Sequence, residues 1–153
     1  MTRHTPCPGM TPAACEAGRV ERRAPLTEAG GDRIRLVLPA EPDYGRIARV
    51  AASSLALRLG LTFVEIEDLR IAVDEAIILL LRPEGTGEIT LEFIVEPDHL
   101  TIEASVDGDA AGRTPPPAID PAALRRFEEI VEDTVDEYSV DVDHARIHLV
   151  KRY

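Results

Sequence analysis

The run from Asp68 to Leu81, DLRIAVDEAIILLL, constrains the fold of this chain more than any other segment. Its apolar residues recur at three- and four-residue intervals, which is the period of a helix and not of a strand. On a wheel turning about 100° per residue, Leu69, Ala72, Val73, Ala76, Leu79 and Leu80 form one continuous face. A helix with such a stripe is stable only when a second layer covers it. Asp68 and Glu75 stand a heptad apart at one margin of that face, beside Ala72 and Leu79. A carboxylate beside a core stripe loses hydration unless it reaches water or a partner. Both acids are therefore expected either to border solvent or to pair with an arginine. Asp74 and Glu75 are adjacent, so their side chains diverge by about 100° and cannot converge on one substrate atom.

The flanking segments supply the layers. Arg33 to Leu38 alternates as a strand, with Ile34, Leu36 and Leu38 inward. After Pro39 and Pro42, Tyr44 to Leu59 reads as a helix with Ile47, Val50, Ala51 and Leu55 at helical spacing. Gly60 is its expected C-cap. Thr62-Phe63-Val64-Glu65 is a capping-box pattern that opens the next helix, which runs to about Leu81. Glu88 to Val95 and Leu100 to Val106 alternate as two strands, with Ile89, Leu91 and Phe93 on one face of the first. Asp120-Pro121 is an N-cap followed by proline at the first helical position. Leu124, Phe127, Ile130, Val131 and Val135 continue that helix. Two short strands, around Tyr138–Val142 and Ala145–Arg152, close the chain. The order β-α-α-β-β-α-β-β predicts an α/β (α+β) two-layer sandwich: a mainly antiparallel mixed sheet with helices on one face.

Residues 1–32 are rich in Pro, Ala, Gly, Thr and Arg without any period, and are expected to form a disordered tail before a single domain at 33–153. The chain has 153 residues and is 44% hydrophobic, enough for one real core. A net charge of -11 repels DNA and anionic membrane, so nucleic-acid and membrane-surface roles are excluded and a basic protein surface is favoured as partner. No run approaches the roughly 18 apolar residues of a membrane span, and no signal-peptide pattern opens the chain. The cytoplasm is the expected compartment. Cys7 and Cys15 are the only cysteines, which leaves neither a disulfide framework nor a structural zinc site in the domain. Ser53 and Ser54 lack a nearby base, and His4, His99, His144 and His148 are scattered, so no metal site or nucleophilic triad is expected.

The segment LRIAVDEA followed by an apolar helix end resembles the first catalytic helix of the GHKL (histidine kinase/Hsp90-like) ATPases, in the branch of the small bacterial anti-sigma-factor serine kinases. That helix reads roughly I-A-V-x-E-A-x-x-N-A in the family. The resemblance extends over about Ile34 to Tyr153, because the predicted element order is that of the family's domain and DTVDEYSVDVDHARIHLVKRY is similar to its ending. It implies an ATP- and magnesium-dependent serine-protein kinase fold. Glu75 then stands at the general base and Asp107, with Gly108, at the adenine-binding turn. The partners implied are a sigma factor or a STAS-type anti-sigma antagonist, with a homodimer also open to the chain.

Three departures from the family pattern point away from catalysis. The asparagine that would hold magnesium falls on Leu79, which has no oxygen. The family's D-x-G-x-G becomes Asp107-Gly108-Asp109-Ala110-Ala111-Gly112, with glycine one residue after the aspartate; the same residues also suit an ordinary β-turn. The glycines of the lid should fall near Arg125 and Phe127, yet Ala122 to Glu129 reads as an unbroken helix. Arg125 and Arg126 are expected on a solvated helix face, paired with nearby acids. The sequence thus favours a regulatory protein of anti-sigma-factor type, degenerate in nucleotide binding and without a metal site, over an active kinase. A structural or dimerising α/β domain unrelated to sigma factors is the third reading.

Overall fold

The computed structural model describes residues 31–81, 87–107 and 118–153. Five strands and three helices follow in the expected order: β1 (Asp32–Pro39), α1 (Gly45–Leu59), α2 (Phe63–Leu80), β2 (Glu88–Val95), β3 (His99–Asp107), α3 (Pro121–Val131), β4 (Glu137–Asp141) and β5 (Arg146–Arg152). A single 3-10 turn, Pro42–Tyr44, leads into α1. Residues 1–30, most of the expected tail, lie outside the described residues.

The strands form one sheet in the order β1-β2-β3-β5-β4. Every pairing is antiparallel, so the sheet contains no parallel pair and the expected mixture is absent. The connections explain this. The α1–α2 pair carries the chain along the sheet and back, so β2 returns beside β1 in the opposite sense. The β2–β3 and β4–β5 connections are hairpins.

Register sorts the side chains. Ile34, Leu36 and Leu38 of β1 stand opposite Phe93, Leu91 and Ile89 of β2. Phe93, Leu91 and Ile89 in turn oppose Ile102, Ala104 and Val106 of β3. This is the helix-covered face, and Ile89, Leu91, Phe93, Ile102, Ile147 and Leu149 are fully buried there. Ile34 points to the same face as predicted but lies exposed on β1, an edge strand of the sheet.

Both ends of the α1–α2 hairpin follow local chemistry. Gly60 takes φ 84°, and its N–H reaches the Ala56 and Leu57 carbonyls. That left-handed conformation is the one glycine adopts without a Cβ penalty. Thr62 caps α2: its Oγ1 accepts from the Glu65 N–H, and the Glu65 carboxylate accepts from the Thr62 N–H at 2.7 Å. A hydrogen bond donated by the Thr62 hydroxyl to the Glu65 carboxylate, together with that from the Thr62 N–H, holds the Glu65 carboxyl below its ordinary pKa.

The face of α2 is as predicted: Leu69, Ala72, Val73, Ala76, Leu79 and Leu80 are all buried, joined by Ile77. The face of α1 is not. Its buried residues are Gly45, Ala48, Ala52 and Ala56, while Ile47 and Val50, expected in the stripe, are exposed. Small residues let α1 approach α2 closely, and this turns the larger aliphatics outward. A Cβ built on Gly45 would meet Ile77 Cγ2 at 3.7 Å.

Candidate functional site

Glu75 lies in the middle of α2, one turn before Leu79. Its side chain is only 14% exposed, and its Oε1 accepts a hydrogen bond from Nη2 of Arg126 on α3 at 3.2 Å. The helix wheel had placed Glu75 at the margin of the core face, and α3 lies along that margin. The carboxylate is thereby paired as an acid in that position requires. Asp68, the other marginal acid, is half-buried. Asp74 turns the opposite way, toward α1, and accepts from Arg49 Nη1 at 2.8 Å. The two adjacent carboxylates thus serve different helices and do not meet.

Leu79 is 8% exposed and part of the hydrophobic core. The position at which the resemblance would place a magnesium-holding amide is filled by an aliphatic side chain packed inward. A magnesium–nucleotide complex is held through oxygen ligands, and the Leu79 side chain carries none. Among the described residues no group of three His, Cys, Asp or Glu side chains is placed to hold a metal ion.

The segment in which a glycine lid was sought is α3, a regular helix from Pro121 to Val131. The Asp120 carboxylate caps it by accepting from the Ala123 N–H at 2.9 Å. Phe127 is fully buried, and its ring meets that of Tyr138 on β4 edge-to-face at 6.1 Å. This aromatic contact anchors the helix to the sheet. A lid must swing and wrap phosphates with its backbone N–H groups. Here those groups are spent on the helix, and Phe127 is held in the core. Arg125 and Arg126 are both exposed, as expected of a solvated face.

Asp107 ends β3 opposite Glu88. Its side chain and Gly108 lie outside the described residues, and the adenine-turn expectation lies there with them. Cys7, Cys15 and His4 are likewise outside them. A groove of about 360 Å³ lies on the helix-free side of the sheet, lined in part by Arg35, Thr90, Glu92, Ser105, Arg146 and His148. Thr90 sits between the core-facing Ile89 and Leu91, so this groove is separated from Glu75 by the sheet itself.

Sequence reasoning expected Glu75 to pair with an arginine or border solvent, but did not identify Arg126, 51 residues away, as that arginine. The Arg49–Asp74 pair was signalled by nothing beyond the opposite charge of α1 and α2.

No family model matches the chain. The serine-protein kinase RsbW of Listeria monocytogenes serotype 4a is 41% identical over 81 residues, which are 50% of this chain and 52% of that protein. Its counterpart in Bacillus subtilis strain 168 is 37% identical over 83 residues, 52% of each. The chain therefore spans about half the length of the curated relatives it matches. Among solved structures, the RsbU and RsbW domains of a Mycobacterium tuberculosis protein superpose with a TM-score of 0.54 at 12% identity, covering 80% of this chain and 32% of that one. The resemblance read from the α2 residues agrees with the names of these relatives, which match half of the chain, and the two-layer α+β architecture is the one found in that crystal structure. No helix among the described residues is long and apolar enough to cross a membrane.

Proposed function

We propose that this chain is an anti-sigma-factor-type regulatory protein that has kept the kinase fold, has lost magnesium–ATP chemistry, and acts by holding a protein partner. The domain would occupy 33–153 and work in the cytoplasm. The partner would be a sigma factor or a STAS-type anti-sigma antagonist, and its contacting surface would be basic, given the chain's net charge of -11.

The observation that carries this reading is Leu79. Glu75, the residue that matches the family's general base, is present. The magnesium ligand that would place a nucleotide before it is replaced by a core side chain, and the carboxylate is taken up by Arg126. Phosphoryl transfer depends on a metal bridging the phosphates. A base without that metal has no positioned substrate.

The rival reading, an active serine-protein kinase with Glu75 as base and Asp107 at adenine, is motivated by relatives that are themselves named serine-protein kinases. Calorimetric titration with ATP, with and without magnesium, separates the two. The binding-module reading expects no magnesium-dependent heat at nucleotide concentrations in the micromolar range. Micromolar, magnesium-dependent affinity together with phosphate transfer to a STAS-type protein would establish the kinase instead. A purified, immobilised sigma factor is the first partner to test.

A further inference from the structure

The groove on the helix-free face of the sheet holds about 360 Å³, within the roughly 300–1,000 Å³ of small-molecule sites. One face of an antiparallel sheet commonly meets water, so polar residues there require no ligand by themselves. Two features of this groove go beyond a solvated face. Thr90 lines it and is only 6% exposed, and its Oγ1 is buried with no hydrogen-bond partner among the described residues. A hydroxyl closed off in that way costs free energy until it is paired. Glu92 and Glu103 stand directly opposite each other on β2 and β3, and like charges in that relation destabilise a sheet.

Register arranges the groove in two rows. Thr90, Ser105 and Arg146 lie side by side across β2, β3 and β5. Two hydroxyls and a guanidinium make this a row of hydrogen-bond donors. Glu92, Glu103 and His148 form the next row on the same face, two residues or about 7 Å away along the strands. The ion pairs already present leave the centre open. Glu92 is drawn toward β1 by Arg33 at 3.1 Å. The contact of Glu103 with His148 is 3.8 Å, beyond hydrogen-bond distance. Asp141, across from Arg146 on β4, is bound instead to His144 Nδ1 at 2.8 Å. A cation therefore suits the acid row and an anion the donor row. One charge-assisted hydrogen bond of about 2.8 Å at each end leaves room for ligand charges only a few bonds apart. A nucleotide does not match, because its phosphates would meet the opposed carboxylates. We propose that this groove binds a free α-amino acid, with its ammonium between Glu92 and Glu103 and its carboxylate on Arg146 and the Thr90 and Ser105 hydroxyls. The site lies across the sheet from Glu75 and does not rest on whether the chain binds nucleotide.

Thermal-shift measurements on the full chain, with each common L-amino acid at millimolar concentration, select the tightest ligand, and calorimetry then gives its Kd. The amide of that amino acid keeps the ammonium alone, and its N-acetyl derivative keeps the carboxylate alone. Each should bind at least about tenfold more weakly. Glu103→Gln relieves the opposed charges, and Thr90→Val removes the unpaired hydroxyl at nearly constant shape, so both variants should be at least as stable as wild type. Both should nevertheless lose affinity, Glu103→Gln by at least about tenfold and Thr90→Val by about threefold or more. Arg146→Gln should lose as much as Glu103→Gln. The absence of binding by every amino acid at millimolar concentration would overturn the proposal. An amide that binds as tightly as the free amino acid would also overturn it, by making the groove a plain cation site. So would an affinity unchanged in any of the three variants.

Discussion

The Arg126 guanidinium on α3 donates to the Glu75 carboxylate on α2 across 3.2 Å, tying together residues 51 positions apart. The acid is mostly buried and the arginine mostly exposed, so solvent screens one side of the pair. This contact gives the carboxylate a structural role at the α2–α3 seam.

Removing the arginine should therefore affect stability more than chemistry. Arg126→Ala is expected to cost no more than about 1 kcal/mol, the upper range for a pair with one exposed member. A double-mutant cycle with Glu75→Gln in urea unfolding isolates the coupling. On the proposed binding-module reading the variant should not hydrolyse ATP, because freeing Glu75 supplies no metal ligand at Leu79. ATP hydrolysis appearing in Arg126→Ala would show that the ion pair alone silences the site.

Leu79→Asn addresses the metal position directly. The side chain lies in the core, so the change buries an amide and removes aliphatic contacts, costing about 2–4 kcal/mol. Urea unfolding should show the midpoint fall at unchanged slope, with no magnesium-dependent ATP binding in the folded protein. A variant as stable as wild type that binds ATP would mean that the pocket is open and lacks only its ligand.

Legibility followed the strength of local signals. Helix α2 could be read to within a residue from its capping box, its period and its buried face, because large aliphatics at regular spacing leave one solution. The hairpin strands were equally plain from alternation. Helix α1 was placed correctly but its inward face was not. There, burial is carried by Ala48, Ala52 and Ala56, and hydrophobicity alone ranks Ile47 and Val50 above alanine. Close helix packing reverses that ranking, since small residues win where backbones approach. That Leu79 stands where the family pattern has an asparagine could be seen once that pattern was in view. The pairing of Glu75 with Arg126, 51 residues away, is a tertiary fact that local sequence does not specify.

The link between α1 and α2 yields a backbone prediction. Gly60 sits at φ 84° with open space where a Cβ would stand. Gly60→Ala thus meets no clash and is strained only through its dihedral, which should cost about 1 kcal/mol. Thermal unfolding measures it. Gly60→Asn should lose less, because asparagine tolerates the left-handed region. Equal stability of alanine and glycine at this position would mean that the turn relaxes to another conformation.

The β2–β3 hairpin carries a pH-dependent contribution. His99 Nδ1 lies 2.7 Å from Asp98 Oδ1, and Nε2 lies 2.5 Å from Glu96 Oε2, so both ring nitrogens face carboxylates. The hydrogen bond to Asp98, assisted by the charges of Glu96 and Asp98, raises the His99 pKa above its ordinary value of 6.5, and the same contact lowers that of Asp98. For the histidine, a folded-state pKa above the unfolded one means stability fully present below the unfolded value and lost as pH rises through the folded value. For Asp98 the sense is opposite: its contribution is present above the unfolded pKa near 3.8 and lost as pH falls through the depressed one. The hairpin's contribution should therefore be greatest between these limits, in mildly acidic solution, and decline through neutral pH. Urea midpoints measured from pH 5 to pH 8 should fall less steeply over the upper part of that range in His99→Gln than in wild type. Identical slopes in the two proteins would show that the imidazole titrates as it does in the unfolded chain and that the paired geometry contributes nothing.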